Sequence, residues 1–328
     1  MTTGTRIQTL TVVAGSMACN AICPDCVSQM TTSDSDLKYI NYTGIDWDNL
    51  EIAANIAISG GATTVLFTGK GEPTLFPGQL NEYLKFFAGP DFRQLAIMEL
   101  QTNGLVFQEK KFCSSKSGWL AKWYGNGLRV ISLSVVSGDD EDNRRFLVPG
   151  RNNYPPLTTT LEILHDFGYT VRLNVTMMKP YVNSVEKIDE VVDFCLENEV
   201  EQLSIRPVRR PCVLNSNTES ARSVFDWVEK NELSTQQEEA IARHFHNDSR
   251  ARLLRTLVHG ARVYDYRGQN LCLTDCLTSE AENGDEIRQL IFFSGGKIAY
   301  DWQSPAASII GWGPEVRRFV KTHDISEK

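Results

Sequence analysis

The sequence is poor in several features, and each shortage excludes a class of protein. None of its apolar runs is long enough to span a bilayer, and residues 1–8 lack the apolar stretch of a secretion signal. Basic residues are outnumbered, with 33 Lys and Arg against 41 Asp and Glu, which argues against a general nucleic-acid binder because such binding rests on phosphate neutralisation. Internal repeats and low-complexity tracts are also missing. We therefore expect a cytoplasmic globular protein with no membrane association, in which a nucleic-acid substrate would need a local basic patch.

Between residues 7 and 207, short β-branched runs alternate with amphipathic stretches, which is typical of βα units around a parallel sheet. Strands are predicted over residues 7–13, 63–68, 95–101, 128–135, 170–176 and 202–207, and helices over residues 47–59, 77–87, 117–124, 158–167 and 185–198. Six such units are fewer than a closed eight-unit barrel needs. We predict an α/β fold in which residues 1–211 form a partial (β/α)6 TIM barrel.

Residues 212–328 differ in pattern from the barrel region. We predict a polar loop over residues 214–220, a charged helix over 232–246 and a hairpin over 290–302. The hairpin turn would be Ser294-Gly295-Gly296-Lys297, where glycines supply the positive φ angles that tight hairpins demand. This part of the chain is expected to be a smaller, irregular C-terminal region that caps the barrel.

Eight cysteines in a chain without a secretion signal indicate metal or cluster binding rather than a disulfide framework. Cys19, Cys23 and Cys26 form a C-x3-C-x2-C motif directly after the first predicted strand. Zinc normally takes four ligands, whereas a [4Fe–4S] cube held by three cysteines keeps one iron open for a substrate or cofactor. A zinc site completed by a distant residue such as Cys113 is the alternative.

Further polar or flexible segments follow the next four predicted strands. They are Gly69-Lys70-Gly71-Glu72-Pro73 after the second strand, Gln101-Thr102-Asn103-Gly104 after the third, Ser134 on the fourth, and Arg172, Asn174 and Thr176 on one face of the fifth. In a parallel barrel, functional groups gather at the carboxyl ends of the strands, where all of these fall. Each segment alone also fits a plain tight turn, a backbone-paired serine or an outward-facing polar stripe.

The cysteine motif, the Gly71-Glu72-Pro73 segment and the QTNG segment, in this order, resemble the radical S-adenosylmethionine (radical SAM) superfamily. Two positions depart from its pattern. Asp25 stands where an aromatic residue usually precedes the third cysteine, and Lys70 stands where a second glycine is usual. The resemblance covers roughly residues 8–210 and identifies the superfamily, not a member of it.

The resemblance implies a [4Fe–4S] cluster on Cys19, Cys23 and Cys26, with S-adenosylmethionine at its open iron. Carbonyls of the segment from Gly69 through Lys70 and Gly71 to Glu72 would receive the ammonium of the methionine moiety. The remaining cofactor contacts would come from Asn103, Ser134 at the ribose, and Asn174 in preference to Arg172. The implied chemistry is oxygen-sensitive: an electron from flavodoxin or ferredoxin cleaves S-adenosylmethionine, and the 5′-deoxyadenosyl radical abstracts hydrogen from the substrate.

The substrate is predicted to be a small, polar molecule, anionic if Arg206 anchors it. Planar guanidinium groups bind carboxylate or phosphate, although solvated loop arginines are the alternative. The six residues before the first predicted strand leave no room for a peptide-recognition domain, which favours a small molecule over a peptide. Three cysteines, Cys212, Cys272 and Cys276, follow the predicted barrel. Radical SAM enzymes with twitch-type or SPASM extensions bind auxiliary clusters through cysteines of their C-terminal regions, so the resemblance implies a possible second cluster here.

Two other functions remain open at this point. A non-catalytic iron–sulfur or zinc module for electron transfer or regulation explains the cysteines, but it leaves the motifs at successive strand ends without a purpose. A radical SAM enzyme that acts on a peptide or an RNA is the other alternative.

Overall fold

The structure is a computed structural model that describes residues 5–211, 214, 216, 218–257, 260–274 and 286–323. The described strands are β1 (Arg6–Val13), β2 (Thr64–Thr68), β3 (Ile97–Thr102), β4 (Leu128–Val135), β5 (Thr170–Met177), β6 (Gln202–Pro207), β7 (Ala251–Thr256), β8 (Arg262–Tyr266), β9 (Gln269–Leu273), β10 (Glu286–Phe293), β11 (Ile298–Ala299) and β12 (Ser308–Ile310). The described helices are α1 (Val27–Thr31), α2 (Asp34–Ile40), α3 (Trp47–Ser59), α4 (Pro77–Phe87), α5 (Lys110–Cys113), α6 (Trp119–Gly125), α7 (Asp140–Leu147), α8 (Leu157–Asp166), α9 (Val185–Glu197), α10 (Glu219–Asn231), α11 (Thr235–Asn247) and α12 (Pro314–His323).

The strands form one sheet in the order β12-β11-β10-β1-β2-β3-β4-β5-β6-β9-β8-β7. β1 to β6 lie side by side in parallel, which confirms the partial barrel predicted from the sequence. Two C-terminal strands extend it in parallel, β10 beside β1 and β9 beside β6, and antiparallel hairpins lie beyond them at both edges. The boundary proposed at residue 211 stays a prediction, and the described strands on its C-terminal side belong to the barrel sheet.

Strand β5 shows how the sequence produces this layering. Val171, Leu173 and Val175 are fully buried and belong to the main hydrophobic core, as expected for β-branched and aliphatic residues packed against helices. The intervening polar residues are only partly buried and lie on the other face of the sheet, because successive side chains of a strand alternate between its faces. On β5, the face that carries Thr176 toward the cavity is therefore polar, and the opposite face adds to the apolar core.

Side-chain caps mark the start of several helices. α3 begins after Asp46, whose side chain accepts a hydrogen bond from Asn49 N at 3.1 Å, and α11 begins with a capping box of Ser234 and Gln237. The charged helix predicted over residues 232–246 is α11 with its start shifted to Thr235. Of the polar loop predicted over residues 214–220, Glu219 and Ser220 belong instead to α10, which begins after its cap, Thr218.

The predicted C-terminal hairpin is confirmed. β10 and β11 pair antiparallel, and Phe293 N donates to Lys297 O at 2.9 Å across the turn. Gly296, at φ 91°, supplies the positive angle that the turn requires. In the part of the chain that the structure describes, no helix is long and apolar enough to cross a membrane.

Candidate functional site

A cavity of about 260 Å³ opens at the carboxyl ends of the barrel strands. Segments that follow β1, β2 and β3 line it, together with the ends of β4, β5 and β6. The sequence-predicted residues that line it are Cys19, Cys23, Cys26, Gly69, Lys70, Gly71, Glu72, Asn103, Ser134 and Arg206. Residues from six successive strands therefore meet in one place.

The cysteine loop is fastened to the turn after β2 by backbone hydrogen bonds. Gly71 N donates to Ser16 O at 2.9 Å, and Glu72 N donates to Ala18 O at 2.9 Å. A Cβ atom on Gly71 would lie 2.1 Å from Ala18 O, so no other residue fits there without moving the loop. The turn thus sets the position of the cysteine loop.

The three cysteines lie close enough to influence one another's protonation. Burial raises the pKa of the Cys19, Cys23 and Cys26 thiols, and neighbouring negative charges raise it further for each. Because only thiolates bind metal, iron would supply the positive charge that these buried sulfurs lack. In its chemical composition, the donor set fits a three-cysteine cluster with an open coordination position. Among the described residues, no three His, Cys, Asp or Glu side chains lie in an arrangement that could hold a metal ion, and the metal assignment stays a prediction.

Glu72 is occupied by the protein itself. Its carboxylate is 3% exposed and accepts hydrogen bonds from Thr74 N and Oγ1, Thr102 Oγ1 and Asn103 N, at 2.6 to 2.9 Å. Burial raises the pKa of this carboxyl, while the hydrogen bonds act in the opposite direction. The Glu72 side chain therefore joins the ends of β2 and β3. Because its carboxylate is already hydrogen-bonded, a ligand would be bound by backbone carbonyls of the turn from Gly69 to Glu72.

Asn103 extends this network to the cysteine loop. Its Nδ2 donates to Asn20 Oδ1 at 2.7 Å, and its Oδ1 accepts from Leu105 N at 3.1 Å. The segments after β1, β2 and β3 are consequently one hydrogen-bonded unit.

Two sequence-predicted residues lie away from the cavity. Arg172 donates to both oxygens of Glu99 at 2.7 and 2.8 Å and to Gln202 Oε1, and Asn174 donates to Ser132 Oγ at 2.7 Å. Neither lines the cavity, whereas Thr176, the next residue on the same face of β5, does. At about 3.3 Å per residue, Arg172 lies about 13 Å below Thr176 along the strand. The structure thus brings Ser134 to the cavity and leaves Arg172 and Asn174 beneath it.

Arg206 lines the cavity beside Thr176, its register partner on β5. It lies near Asp25: burial raises the pKa of that carboxyl to about 6, and the Arg206 guanidinium opposes the change. Arg210 is instead held by Glu229 and Glu232, away from the cavity. Asp25 is a site residue that the sequence flagged only as a departure from a pattern.

Of the three proposed ligands of a second cluster, one lies within the described residues. Cys272 lies on β9, in register with Ser204 of β6, whereas Cys212 and Cys276 lie outside the described residues. Cys113, considered as a zinc ligand, ends α5 and does not line the cavity. The auxiliary cluster stays a prediction.

No protein-family model matches the sequence, and no curated protein matches it. Among solved structures, the chain is similar to SuiB of Streptococcus suis bound to the precursor peptide SuiA, with 14% identity and a TM-score of 0.58 over 95% of this chain and 63% of that one. SuiB bound to S-adenosylmethionine is 16% identical, with a TM-score of 0.50 over 90% of this chain and 58% of that one. This chain covers less than two thirds of the length of either. At this level of identity the likeness shows a common fold, so this chain has the fold of SuiB.

Proposed function

We propose that the protein is a radical SAM enzyme. The observation that carries the proposal is that Cys19, Cys23 and Cys26 border the same cavity as the glycine-containing turn from Gly69 to Glu72, at the carboxyl ends of parallel strands. A [4Fe–4S] cluster on these cysteines would pass one electron to bound S-adenosylmethionine, which yields methionine and a 5′-deoxyadenosyl radical that removes a hydrogen atom from the substrate. Flavodoxin or ferredoxin is the proposed electron donor.

Within this function, the residues of the chain bind and orient. The backbone of Gly69 and Gly71 is exposed to the cavity because neither residue has a side chain to cover it, so their carbonyls can accept hydrogen bonds from an ammonium group. Ser134, which also lines the cavity, offers a hydroxyl to a ribose. The buried Glu72 network holds the turn rigid, which keeps these groups oriented before a ligand arrives.

The proposed substrate is a small molecule that carries a carboxylate or phosphate. Arg206 supports this choice because it lies at the cavity, where a guanidinium can bind either group with two hydrogen bonds. A peptide is the competing substrate, since SuiB, of the same fold, was solved with a precursor peptide.

The experiment is an anaerobic reaction of the iron-reconstituted protein with dithionite and S-adenosylmethionine. We expect 5′-deoxyadenosine and methionine in equal amounts, and neither product from the Cys19→Ala, Cys23→Ala, Cys26→Ala triple variant. An intact cluster in the wild type without either product would favour the non-catalytic electron-transfer module.

A further inference from the structure

Two residues of opposite charge flank Cys26. Asp25 precedes it in the chain, and Lys70 belongs to the turn after β2. Both line the cavity together with the three cysteines. They are also the two positions at which the sequence departs from the radical SAM pattern, so the cluster site of this chain has two nearby charges that the resemblance does not explain.

Lys70 is held against the helix that Cys26 begins. Its side chain is buried, at 5% exposure, and Nζ donates to Thr31 Oγ1 at 3.2 Å. Thr31 Oγ1 in turn donates to Val27 O at 2.8 Å, and Val27 is the first residue of α1, directly after its N-cap Cys26. The ammonium also lies 4.9 Å from the ring centroid of Trp302. Both contacts are with uncharged groups. Burial lowers the pKa of this ammonium to about 8, and the negative charges of Cys26, Asp36 and Asp301 oppose that change.

The two charges act on the cysteine sulfurs in opposite directions, because both side chains line the cavity that Cys19, Cys23 and Cys26 border. Charges in such a water-poor site interact more strongly than they would at the surface.

We propose that Lys70 and Asp25 set the reduction potential of the cluster held by Cys19, Cys23 and Cys26, with Lys70 raising the potential and Asp25 lowering it. Reduction adds one negative charge to the cluster, and net charge is among the factors that set iron–sulfur potentials. An ammonium beside the cluster therefore stabilises the reduced form. A carboxylate destabilises it, by an amount that the neighbouring Arg206 guanidinium reduces for Asp25. The inference rests on the proposed function, because it requires the cluster.

The chain provides two matched lysine controls. Lys297 is also buried, but its Nζ contacts Asp36 Oδ2 at 2.8 Å, so its charge is largely cancelled. Lys85 lies on α4, is 56% exposed and pairs with Glu82. The effect of removing each ammonium should therefore fall in the order Lys70, Lys297, Lys85.

The test is an anaerobic potentiometric titration of the reconstituted protein, followed by electron paramagnetic resonance of the cluster whose signal changes when S-adenosylmethionine is added. We expect K70M to shift the midpoint potential to more negative values and D25N to shift it to more positive values. The K70M/D25N double variant should lie between them, and K70R should match the wild type. Iron content and circular dichroism establish that each variant is folded and loaded.

A K70M midpoint that equals that of K85M would overturn the role of Lys70. If K70M does not assemble a cluster, the midpoint potential of D25N becomes the test. A D25N potential equal to that of the wild type would refute the proposal that these charges set the potential. These outcomes are separate from a failure of the proposed function, which would appear as a wild-type protein that binds no cluster or does not cleave S-adenosylmethionine.

Discussion

The two halves of the cavity rim are built in different ways. The half after β1, β2 and β3 is fixed by backbone hydrogen bonds and by the saturated carboxylate of Glu72. The half at the ends of β4, β5 and β6 presents side chains, among them Ser134, Thr176 and Arg206, beside an apolar cluster that includes Phe146 and Val208. A rigid first half suits a bound cofactor whose geometry must not vary. The second half can change by substitution without disturbing the first, which suits recognition of a particular substrate.

The strongest way to break the first half is Gly71→Ala. The added Cβ would lie 2.1 Å from Ala18 O, a backbone atom that cannot rotate away. We expect a loss of upwards of about 4 kcal/mol in the free energy of unfolding, together with loss of bound iron. Gly78→Ala on α4 is the control, since nothing lies within 4 Å of its added Cβ. Urea denaturation and iron analysis measure both variants, and equal stability of the two would contradict this account of the turn.

Arg172→Met tests whether a β5 residue below the cavity rim stabilises the second half without contacting the cofactor. It leaves Glu99, 6% exposed, without its guanidinium partner. Breaking a fully buried pair costs about 3–5 kcal/mol, and because the Arg172 side chain is 30% exposed we expect a loss at the lower end of that range. Because Arg172 does not line the cavity, cleavage of S-adenosylmethionine per assembled cluster should stay close to wild type. Adding Glu99→Leu should restore much of the lost stability. A cleavage rate per cluster that falls with R172M and stays low in the double variant would mean that Arg172 contacts the cofactor after all.

Glu72→Gln has a smaller effect on the first half. The amide NH2 would face one of the donors that now point at the carboxylate, so we expect about 2 kcal/mol of destabilisation and weaker cluster binding. Glu82→Gln on the exposed face of α4 is the matched control and should change stability by less than about 0.5 kcal/mol. Thermal unfolding of the two variants gives the comparison, and similar melting temperatures would show that the Glu72 network does not fix the turn.

The barrel was predictable because its signals are local. β-branched runs and helical periodicity require only neighbouring residues, and the helices over residues 47–59 and 77–87 match α3 and α4 in both boundaries. The placement of β9 and β10 was not predictable, because the pairing of β10 with β1 joins residues far apart in sequence, and periodicity carries no information on such pairs. The short helices α1 and α2 were missed because neither is long enough to show a periodic pattern.

The candidate site likewise combines features that have a local sequence signal with features that depend on distant residues. The order of the cysteine, GKGEP and QTNG segments was readable, and these segments meet at one cavity. The two-residue period of β5 gives the face on which Arg172 and Asn174 lie, but it does not give their depth below the rim. Depth depends on where the strand ends, and Thr176 is the residue of that face closest to the end. The partners of Arg172, Glu99 and Gln202, lie on other strands and have no local signal.

The finest test of the two halves compares Ser134→Ala with Asn174→Ala. Both residues were predicted to bind the cofactor, but Ser134 lines the cavity whereas Asn174 donates to Ser132 below it. Loss of one neutral hydrogen bond at about 0.5–1.5 kcal/mol predicts a two- to tenfold weaker affinity for S-adenosylmethionine in S134A, with little change in stability. N174A should bind S-adenosylmethionine with unchanged affinity and lose stability instead, because it leaves Ser132 Oγ, which is fully buried, without that donor.

Equilibrium binding of S-adenosylmethionine to the anaerobically reconstituted variants distinguishes the roles of Ser134 and Asn174. If N174A loses affinity and S134A does not, cofactor contacts extend below the cavity rim, and the assignment of Ser134 to the ribose would have to be abandoned.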